Sequence, residues 1–590
     1  MTPPQAVVVA GLTLQQAVVF GGLALLIVEL VRGRRKPALV FASVAFAFML
    51  LDFVSVQQGL QQFTNPGLVT VVVLLLLSVV LDKSRLLEQM AERLVRGPYR
   101  WALFKLYVAT AFYSAFLNNT AVVASLIGPL RTLRAHAPSR LLLPMCFAAS
   151  LGGVLTLVGT STNLLVNSLL IGQQMPGLAI FDLFPVGILI VLACGATMVL
   201  AYPHLLKAEP APADKPSDYF LEATVMPGSP LAGRTVESGG LRQLAHLFLA
   251  EIVRGAHVIA PVQPEQVVEA GDILVFTGDL TRLDLLTRFQ GLQTHGQHYR
   301  LPLDNLVEVV VAANSTLVRR TIKEVDFRSQ FDAAVIAVRR GSERLRGPIA
   351  SVPLDVGDTL VLVVGKDFEK RNNLKRNFVI VSNRQVQKFT DPRKGLLALA
   401  GFVTAIALSA LGLVDFLKAL LVLLVAFLAL GLARVAELRR NMPYEIALVI
   451  ASSLVISEVM VGSGAAALLA RALLSGLTHL GPYGALALVL LLTWMLTELM
   501  SNNAAAALAF PVALGVAQQS GLDPRPFVMA VLYGASCSFL TPYGYQTNLM
   551  VMSPGRYALR DYLRAGAPIA LVFQAVALAA IPVFFPFRAS

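Results

Sequence analysis

Two blocks of apolar sequence, each broken by polar residues at matching places, constrain this chain more than any other feature. Runs such as Ala6–Val31, Phe184–Tyr202, Leu397–Val414, Phe416–Leu432 and Ala567–Phe585 reach or approach the length of about 18–20 residues that crosses a bilayer core. Leu68–Leu81 is shorter and is extended by its flanks. Only 14% of the 590 residues are charged and 56% are hydrophobic, whereas soluble domains carry about 25% charged residues. The mean hydropathy of +0.69 agrees. Gly33-Arg-Arg-Lys36 follows the first run rather than preceding it, so that run reads as a retained helix and not a cleaved leader.

The net charge of +13 does not point to nucleic acid. Arg32, Arg34, Arg35 and Lys36 sit beside one apolar run, Arg131, Arg134 and Arg140 beside another, and Arg434, Arg439 and Arg440 beside a third. Basic loops next to spans orient a membrane chain. Cys146, Cys194 and Cys537 lie in apolar stretches without metal-like spacing and read as small buried side chains.

The first apolar block covers residues 1–205 and the second 394–590, with a Pro/Ala/charge-rich linker at 206–216 opening a polar insert. The insert repeats itself. Leu221-Glu-Ala-Thr-Val225 returns as Val307-Glu-Val-Val-Val311, Arg254-Gly255 as Arg340-Gly341, and Gly271-Asp-Ile-Leu274 as Gly357-Asp-Thr-Leu360, all at an offset of 86. Two small α+β modules are expected, at 217–295 and 303–375, each reading strand, turn, helix and strands.

The apolar blocks repeat each other too. Gly97-Pro-Tyr99 returns as Gly481-Pro-Tyr483, Asn118-Asn119 as Asn502-Asn503, and Thr156-x-x-Gly159-x-x-Thr162-Asn163 as Thr541-x-x-Gly544-x-x-Thr547-Asn548, at offsets of 384 to 385. Basic residues at both ends make 101–134 a re-entrant hairpin, and 484–518 is its counterpart. Asp82–Arg100 reads as an amphipathic stretch on the inner surface. Five crossings per half invert the second copy, place the insert in the cytoplasm and give about ten spans. Inverted halves are the plan of secondary transporters.

Free backbone groups are costly in hydrocarbon, so irregular chain is tolerated where it lines a polar cavity. The hairpin tips Ser114-x-x-x-Asn118-Asn119-Thr120 and Thr497-x-x-x-Ser501-Asn502-Asn503, and the breaks at 156–163 and 541–548, are such places. Their hydroxyl, amide and carbonyl oxygens suit Na⁺, and the helix N-termini they release suit an anion. Amide residues in spans also pack helices together, but a duplicated set in register at two breaks points to a site. Glu498 is the acid of the second hairpin, with Ser114 or Ala115 opposite it in the first half. It reads as a tie to a neighbouring helix, with a proton-carrying role as the alternative.

The hairpin sequences Ala115-Phe-Leu-Asn-Asn-Thr-Ala-Val-Val123 and Thr497-Glu-Leu-Met-Ser-Asn-Asn-Ala504 resemble the signatures of the divalent anion/sodium symporter family. The breaks Gly159-Thr-Ser-Thr-Asn163 and Pro542-Tyr-Gly-Tyr-Gln-Thr-Asn548 do as well. The insert resembles a pair of TrkA-C regulatory modules. The resemblance implies one Na⁺ held by Ser114, Asn118, Asn119 and the backbone at Gly159, and another by Thr497, Ser501, Asn502 and the backbone at Gly544. It implies an anion among Asn118, Asn119, Thr120, Thr160, Ser501, Asn502, Asn503, Tyr545 and Gln546. A homodimer in the inner (plasma) membrane, elevator-type movement and a nucleotide or other small ligand on the modules are further implications. The sequence departs from the family pattern at Asn118, Asn503 and the Gly544-Tyr545-Gln546 turn. Bulky Tyr and Gln favour a compact oxyanion such as sulfate over a four-carbon dicarboxylate. The internal repeat pairs Asn118 with Asn502, whereas the family pattern pairs Asn119 with Asn502.

The expectation is therefore an α-helical polytopic membrane protein with inverted repeats and two cytoplasmic α+β modules, acting as a Na⁺-coupled symporter of a small divalent anion. The polar insert carries no phosphate-binding loop or nucleophile–base set of an enzyme. A proton-coupled oxyanion efflux permease and an ion channel gated by the TrkA-C-like pair are the competing readings.

Overall fold

The computed structural model describes all residues except 1–7, 10–11, 33–34, 82–90, 92, 133–135, 207–219, 242–243, 245–246, 256, 260–261, 279–288, 296–305, 313–314, 342, 346–350, 366, 369–370, 372, 381–391, 475–480 and 589–590. The linker and most of the amphipathic stretch at 82–100 thus lie outside the described residues.

Helices dominate both apolar blocks because their sequences leave no other way to pair the backbone in hydrocarbon. The first block forms α1 (Leu14–Arg32), α2 (Pro37–Leu50), α3 (Pro66–Leu81), α4 (Tyr99–Ser114), α5 (Asn119–Thr132), α6 (Pro138–Gly152), α7 (Ser161–Gly172) and α8 (Phe184–Leu205). The second forms α9 (Pro392–Ala410), α10 (Phe416–Ala429), α11 (Tyr444–Gly462), α12 (Ala465–Leu474), α13 (Gly481–Leu499), α14 (Asn502–Ser520), α15 (Arg525–Ser536), α16 (Gln546–Met552) and α17 (Leu559–Phe584). Among the described residues six helical segments are long and apolar enough to cross a membrane, and shorter apolar helices such as α2 and α10 accompany them. Large apolar side chains such as Leu25, Leu192, Val422 and Leu571 face outward, as a surface against lipid requires. The chain is a multi-pass membrane protein.

The two blocks pack as equivalent halves. α4 lies on α6 as α13 lies on α15, and α2 meets α11 as α3 meets α10. The crossing contacts are reciprocal as well. α14 packs on α7 and α16 on α5, while α15 packs on α7 and α16 on α6. Each hairpin therefore rests on the broken helix of the other half. Gly97 and Gly481, which open the two Gly-Pro-Tyr turns, both take positive φ (101° and 58°), a conformation glycine adopts without steric cost.

The polar insert builds two five-stranded antiparallel sheets of identical order. The first contains β1 (Phe220–Val225), β2 (Leu247–Arg254), β3 (His257–Ile259), β4 (Ile273–Gly278) and β5 (Leu292–His295), in the order β3-β2-β4-β1-β5. The second contains β6 (Leu306–Val311), β7 (Ala333–Arg340), β8 (Glu343–Arg344), β9 (Thr359–Val364) and β10 (Phe378–Ile380), in the order β8-β7-β9-β6-β10. The offset of 86 holds down to the polar contacts. Arg254 grips the buried Asp272 at 2.9 Å, and Arg340 grips the buried Asp358 at 2.7 and 2.8 Å. Each aspartate also accepts a backbone N–H, from Glu269 and Asp355 respectively, at 2.8 Å. The expected helix is small. In the second copy it is the five-residue Phe327–Phe331, confined between Asp326 and Asp332, both in the left-handed region.

Alternation along β1, β2 and β4 sends Ala223, Ile252 and Leu274 into the first sheet's own core. Glu222, Glu251 and Val275 occupy the other face, with both glutamates opposite Val275 on neighbouring strands. Glu251 is 4% exposed, and burial pushes its carboxyl from 4.5 up to about 7. A raised carboxyl pKa adds stability below the ordinary value and loses it as pH rises through the folded one. Glu251→Gln should therefore slow hydrogen exchange in β2 and β4 at pH 8, by the equivalent of up to about 3 kcal/mol, and change little at pH 4. Equal protection of parent and variant at pH 8 would show that the carboxyl is not strained there.

Candidate anion and cation site

The site is built where helices stop. α4 ends at Ser114 and α5 restarts at Asn119, and α13 ends at Leu499 with α14 restarting at Asn502. α6 ends at Gly152 and α7 begins at Ser161, and α15 ends at Ser536 with α16 beginning at Gln546. Each interruption orphans carbonyls behind it and N–H groups ahead of it.

Asparagine amides satisfy the carbonyls. Asn163 Nδ2 reaches back to donate to the carbonyls of Gly153 (2.9 Å) and Thr156 (2.8 Å). Asn548 Nδ2 does the same to Ser538 (3.0 Å) and Thr541 (3.1 Å). Thr156 and Thr541 then join each break to its own hairpin, Thr156 by donating to the Ala115 carbonyl and Thr541 by a single proton shared between the carbonyl and the carboxylate of Glu498.

The hairpin tips repeat this one-to-one. The Ser114 hydroxyl lies 2.6 Å from the Asn119 amide, and the Thr497 hydroxyl lies 2.8 Å from Asn502 Oδ1. Asn119 is thus the counterpart of Asn502. The sequence offset that paired Asn118 with Asn502 is corrected by one residue, because the stretch between hairpin tip and break is two residues longer in the second half. Oriented so that every amide atom meets a complementary group, Asn119 donates to Ser114 Oγ (2.6 Å) and to the carbonyls of Gly159 (3.1 Å) and Ala149 (3.3 Å). Its Oδ1 accepts from the Tyr545 hydroxyl at 2.9 Å. Ser114, Asn119 and Gly159 are therefore together. Thr497 and Asn502 are together beside Gly544, where an added Cβ would come within 2.9 Å of the Thr497 carbonyl.

Among the hydrogen bonds of the described residues, none joins Asn118 to Ser114 or Asn119. Its Oδ1 accepts from the Thr120 backbone N–H (2.9 Å), capping α5, and it lines a small pocket with Gly159, Thr160, Ser161 and Ser78. Leu74 and Leu75 of α3 and Phe402 of α9 close the pocket's other wall. Ser501 is the exposed N-cap residue of α14, and Gln546 at the start of α16 is also exposed.

Polar side chains then tie the four restarting helices together. Tyr545 connects α16 to α5 through Asn119 and to the start of α7 through Thr160. Asn503 connects α14 to α7, with Oδ1 accepting from Ser161 (3.3 Å) and Thr162 (3.0 Å). Four helix N-termini thereby converge, each carrying first-turn N–H groups and a partial positive charge. None of the residues drawn together is Arg or Lys. Such a place can hold a small anion by N–H donation, with oxygen-rich clusters for a hard monovalent cation on either side.

Glu498 breaks the symmetry. Its two carboxylate oxygens accept the backbone N–H groups of Phe539 (3.0 Å), Leu540 (2.9 Å) and Thr541 (3.0 Å), as well as the Thr541 hydroxyl at 3.0 Å. It is the tie to a neighbouring element read from the sequence, in the form of an anion cap over the second break. Ala115 stands opposite it. There the equivalent N–H groups of Val154 and Leu155 turn back to Leu151 and Gly152 instead.

Comparison with known proteins adds a family. Residues 23–534 match the citrate transporter family (CitMHS). A putative sulfur deprivation response regulator of Chlamydomonas reinhardtii is 30% identical over 581 residues, which cover 94% of this chain and 98% of that one. The uncharacterized transporter YfbS of Escherichia coli is 26% identical over 604 residues, covering 96% and 98%. Sodium/sulfate cotransporter 1 of Chlamydomonas reinhardtii is 27% identical over 382 residues, covering 61% of this chain and 42% of that one.

Glu498→Ala removes the acceptor of three backbone donors, each costing about 1–3 kcal/mol when left unpaired. The variant should lose stability in detergent by thermal unfolding. Glu498→Gln, which keeps one acceptor oxygen, should lose less and leave the shape of the pH–uptake profile unchanged. A Gln variant as stable as the parent but with a flattened pH profile would instead make Glu498 the proton carrier.

Proposed function

We propose, from the premise that this chain belongs to the citrate transporter family and is a transporter rather than an enzyme, that it is a Na⁺-coupled symporter of a small divalent oxyanion, with sulfate preferred over four-carbon dicarboxylates. The observation that carries this reading is the convergence of four helix N-termini through the uncharged side chains of Asn119, Tyr545, Thr160 and Asn503. A compact tetrahedral anion offers acceptors in several directions at once and matches donors converging from several helices. The Tyr545 ring reaches across to Asn119 and narrows the space that a longer diacid would need. Relatives named sodium/sulfate cotransporters support the same substrate and ion.

The cations belong at the two oxygen clusters, one around Ser114, Gly159 and Asn119, whose amide turns its Oδ1 in place of its N–H groups toward the ion, the other around Thr497, Asn502 and Gly544, with Asn118 and Ser501 at their outer edges. Thr120 and Gln546 complete the rim of the anion site. Hydroxyl, amide and carbonyl oxygens without a carboxylate suit a singly charged hard ion. The hairpins and broken helices form one site-bearing body. The pocket between this body and α3 and α9 supports movement of the body past a scaffold, as in an elevator. The two insert modules, on this reading a TrkA-C-like pair with a small-molecule ligand, lie in the cytoplasm of a homodimer in the plasma membrane. Glu498, committed to four hydrogen bonds, leaves the proton-coupled reading without a free carboxyl in the second hairpin.

In proteoliposomes, labelled sulfate should accumulate under an inward Na⁺ gradient, and equal uptake without Na⁺ would sink the coupling. Asn119→Ala and Asn502→Ala should each raise the Na⁺ concentration for half-maximal uptake about tenfold, the factor equivalent to about 1.4 kcal/mol. Tyr545→Phe should weaken sulfate uptake relative to succinate. Thermal unfolding against sulfate, phosphate, succinate and citrate, each with and without Na⁺, ranks the substrates, because a ligand of the folded state raises its apparent stability.

A further inference from the structure

The polar insert does not hang free of the membrane halves. Its second sheet sits on two elements that carry the site. Glu308 of β6 forms an ion pair with Arg131 near the end of α5 at 2.7 Å, with both side chains more than three-quarters shielded from solvent. Beside it, the Thr359 hydroxyl of β9 donates to Ser553 Oγ, just past the end of α16, at 2.7 Å. Ser553 in turn donates to the Arg339 carbonyl of β7 at 3.3 Å.

The backbones also approach closely. Gly357, with φ of 85°, lies against the carbonyl of Leu549 in α16 so tightly that no side chain would fit. Gly341 faces Met552, where an added Cβ would come within 3.1 Å of the methyl group. Val310 of β6 is fully buried and belongs to the apolar core of the membrane halves rather than to its own sheet's core. The two elements engaged, α5 and α16, come from different halves, and both begin at the substrate site.

We infer that the second insert module is a fixed part of the site-bearing body, clamped to α5 and α16 by Glu308–Arg131 and Thr359–Ser553, so that it travels with the substrate site and whatever holds the module holds the site. The mechanism is mechanical. α16 is seven residues long, with Tyr545 at its site end and the module packed along Leu549–Ser553. A rigid element that short transmits a displacement at one end to the other. The half-buried ion pair, the Thr359–Ser553 hydrogen bond and the interlocked backbone leave no plane along which the module can slide over α5 and α16. The first module packs through β2 and β4 on β7 of the second, so both modules are carried.

The inference rests on the elevator reading above, and the test separates the two. In the full-length protein the double variant Thr359→Cys/Ser553→Cys is oxidised in proteoliposomes; the native Cys146, Cys194 and Cys537 are buried and stay. The expected result is a disulfide formed equally with and without Na⁺ and substrate, with uptake kept within about twofold of the reduced protein, a change of under about 0.5 kcal/mol. Uptake is read with whichever anion most raises the unfolding temperature, so a substrate other than sulfate changes the proposed function and not this test. Uptake that stops on oxidation and returns on reduction would place the module on the scaffold and overturn the inference. A disulfide that does not form in the folded protein would overturn the contact itself. As an independent measure, Arg131→Glu should lower the unfolding temperature, and adding Glu308→Arg should restore it. Additive losses in the double variant count against the clamp.

Discussion

Everything in the membrane halves depends on one constraint: a backbone polar group inside an apolar body must find a partner. This chain interrupts four helices within its core and so creates a dense set of orphaned carbonyls and N–H groups. Asn163 and Asn548 pair the carbonyls, two each. The starts of α5, α7, α14 and α16 carry the complementary N–H groups, some of which are capped locally, as Asn118 caps the Thr120 N–H. The structural solution to the breaks also brings these four helix starts together, through Asn119–Tyr545 and Asn503–Ser161.

The two halves solve the same problem with different means, and the difference has consequences. In the first half the N–H groups past α6 close tight turns on their own chain. In the second, Glu498 collects three of them. A carboxylate is a stronger acceptor than a carbonyl, so the second break is held more firmly to its hairpin. Tyr545 adds a second asymmetry, since Thr160 stands in its place in the first half. One half presents a small hydroxyl and the other an aromatic arm that reaches across to Asn119.

The insert follows the same logic of shared groups. The Arg254–Asp272 and Arg340–Asp358 pairs bury a carboxylate with a bidentate partner in each sheet. The duplicated glutamates diverge in use, however. Glu222 lies on its own sheet's outer face opposite Val275, and Glu308, at the equivalent position, reaches Arg131 of the membrane half. Duplication supplied two similar surfaces, and the second became the one that meets the site-bearing helices.

Local chemistry made much of this legible from the sequence. Apolar runs fixed the membrane class, hairpin and break motifs repeated in register fixed the pairs of helices that stop, and the signatures they carry led to the family that the comparisons bear out. The offset of 86 marked a duplication whose two sheets share one strand order. Three things were not legible. The equivalence of Asn119 and Asn502 needed the Ser114 and Thr497 contacts, because a two-residue difference in spacing shifts any alignment of the halves. The convergence of Tyr545, Asn119, Thr160 and Asn503 joins residues more than 340 positions apart, which periodicity cannot register. The Arg131–Glu308 clamp likewise looks like one more basic loop residue until the fold brings a strand against it. Sequence determines which backbone groups are left without partners; only the tertiary structure decides which of them face each other, because that depends on how separate elements pack and not on what any one of them contains.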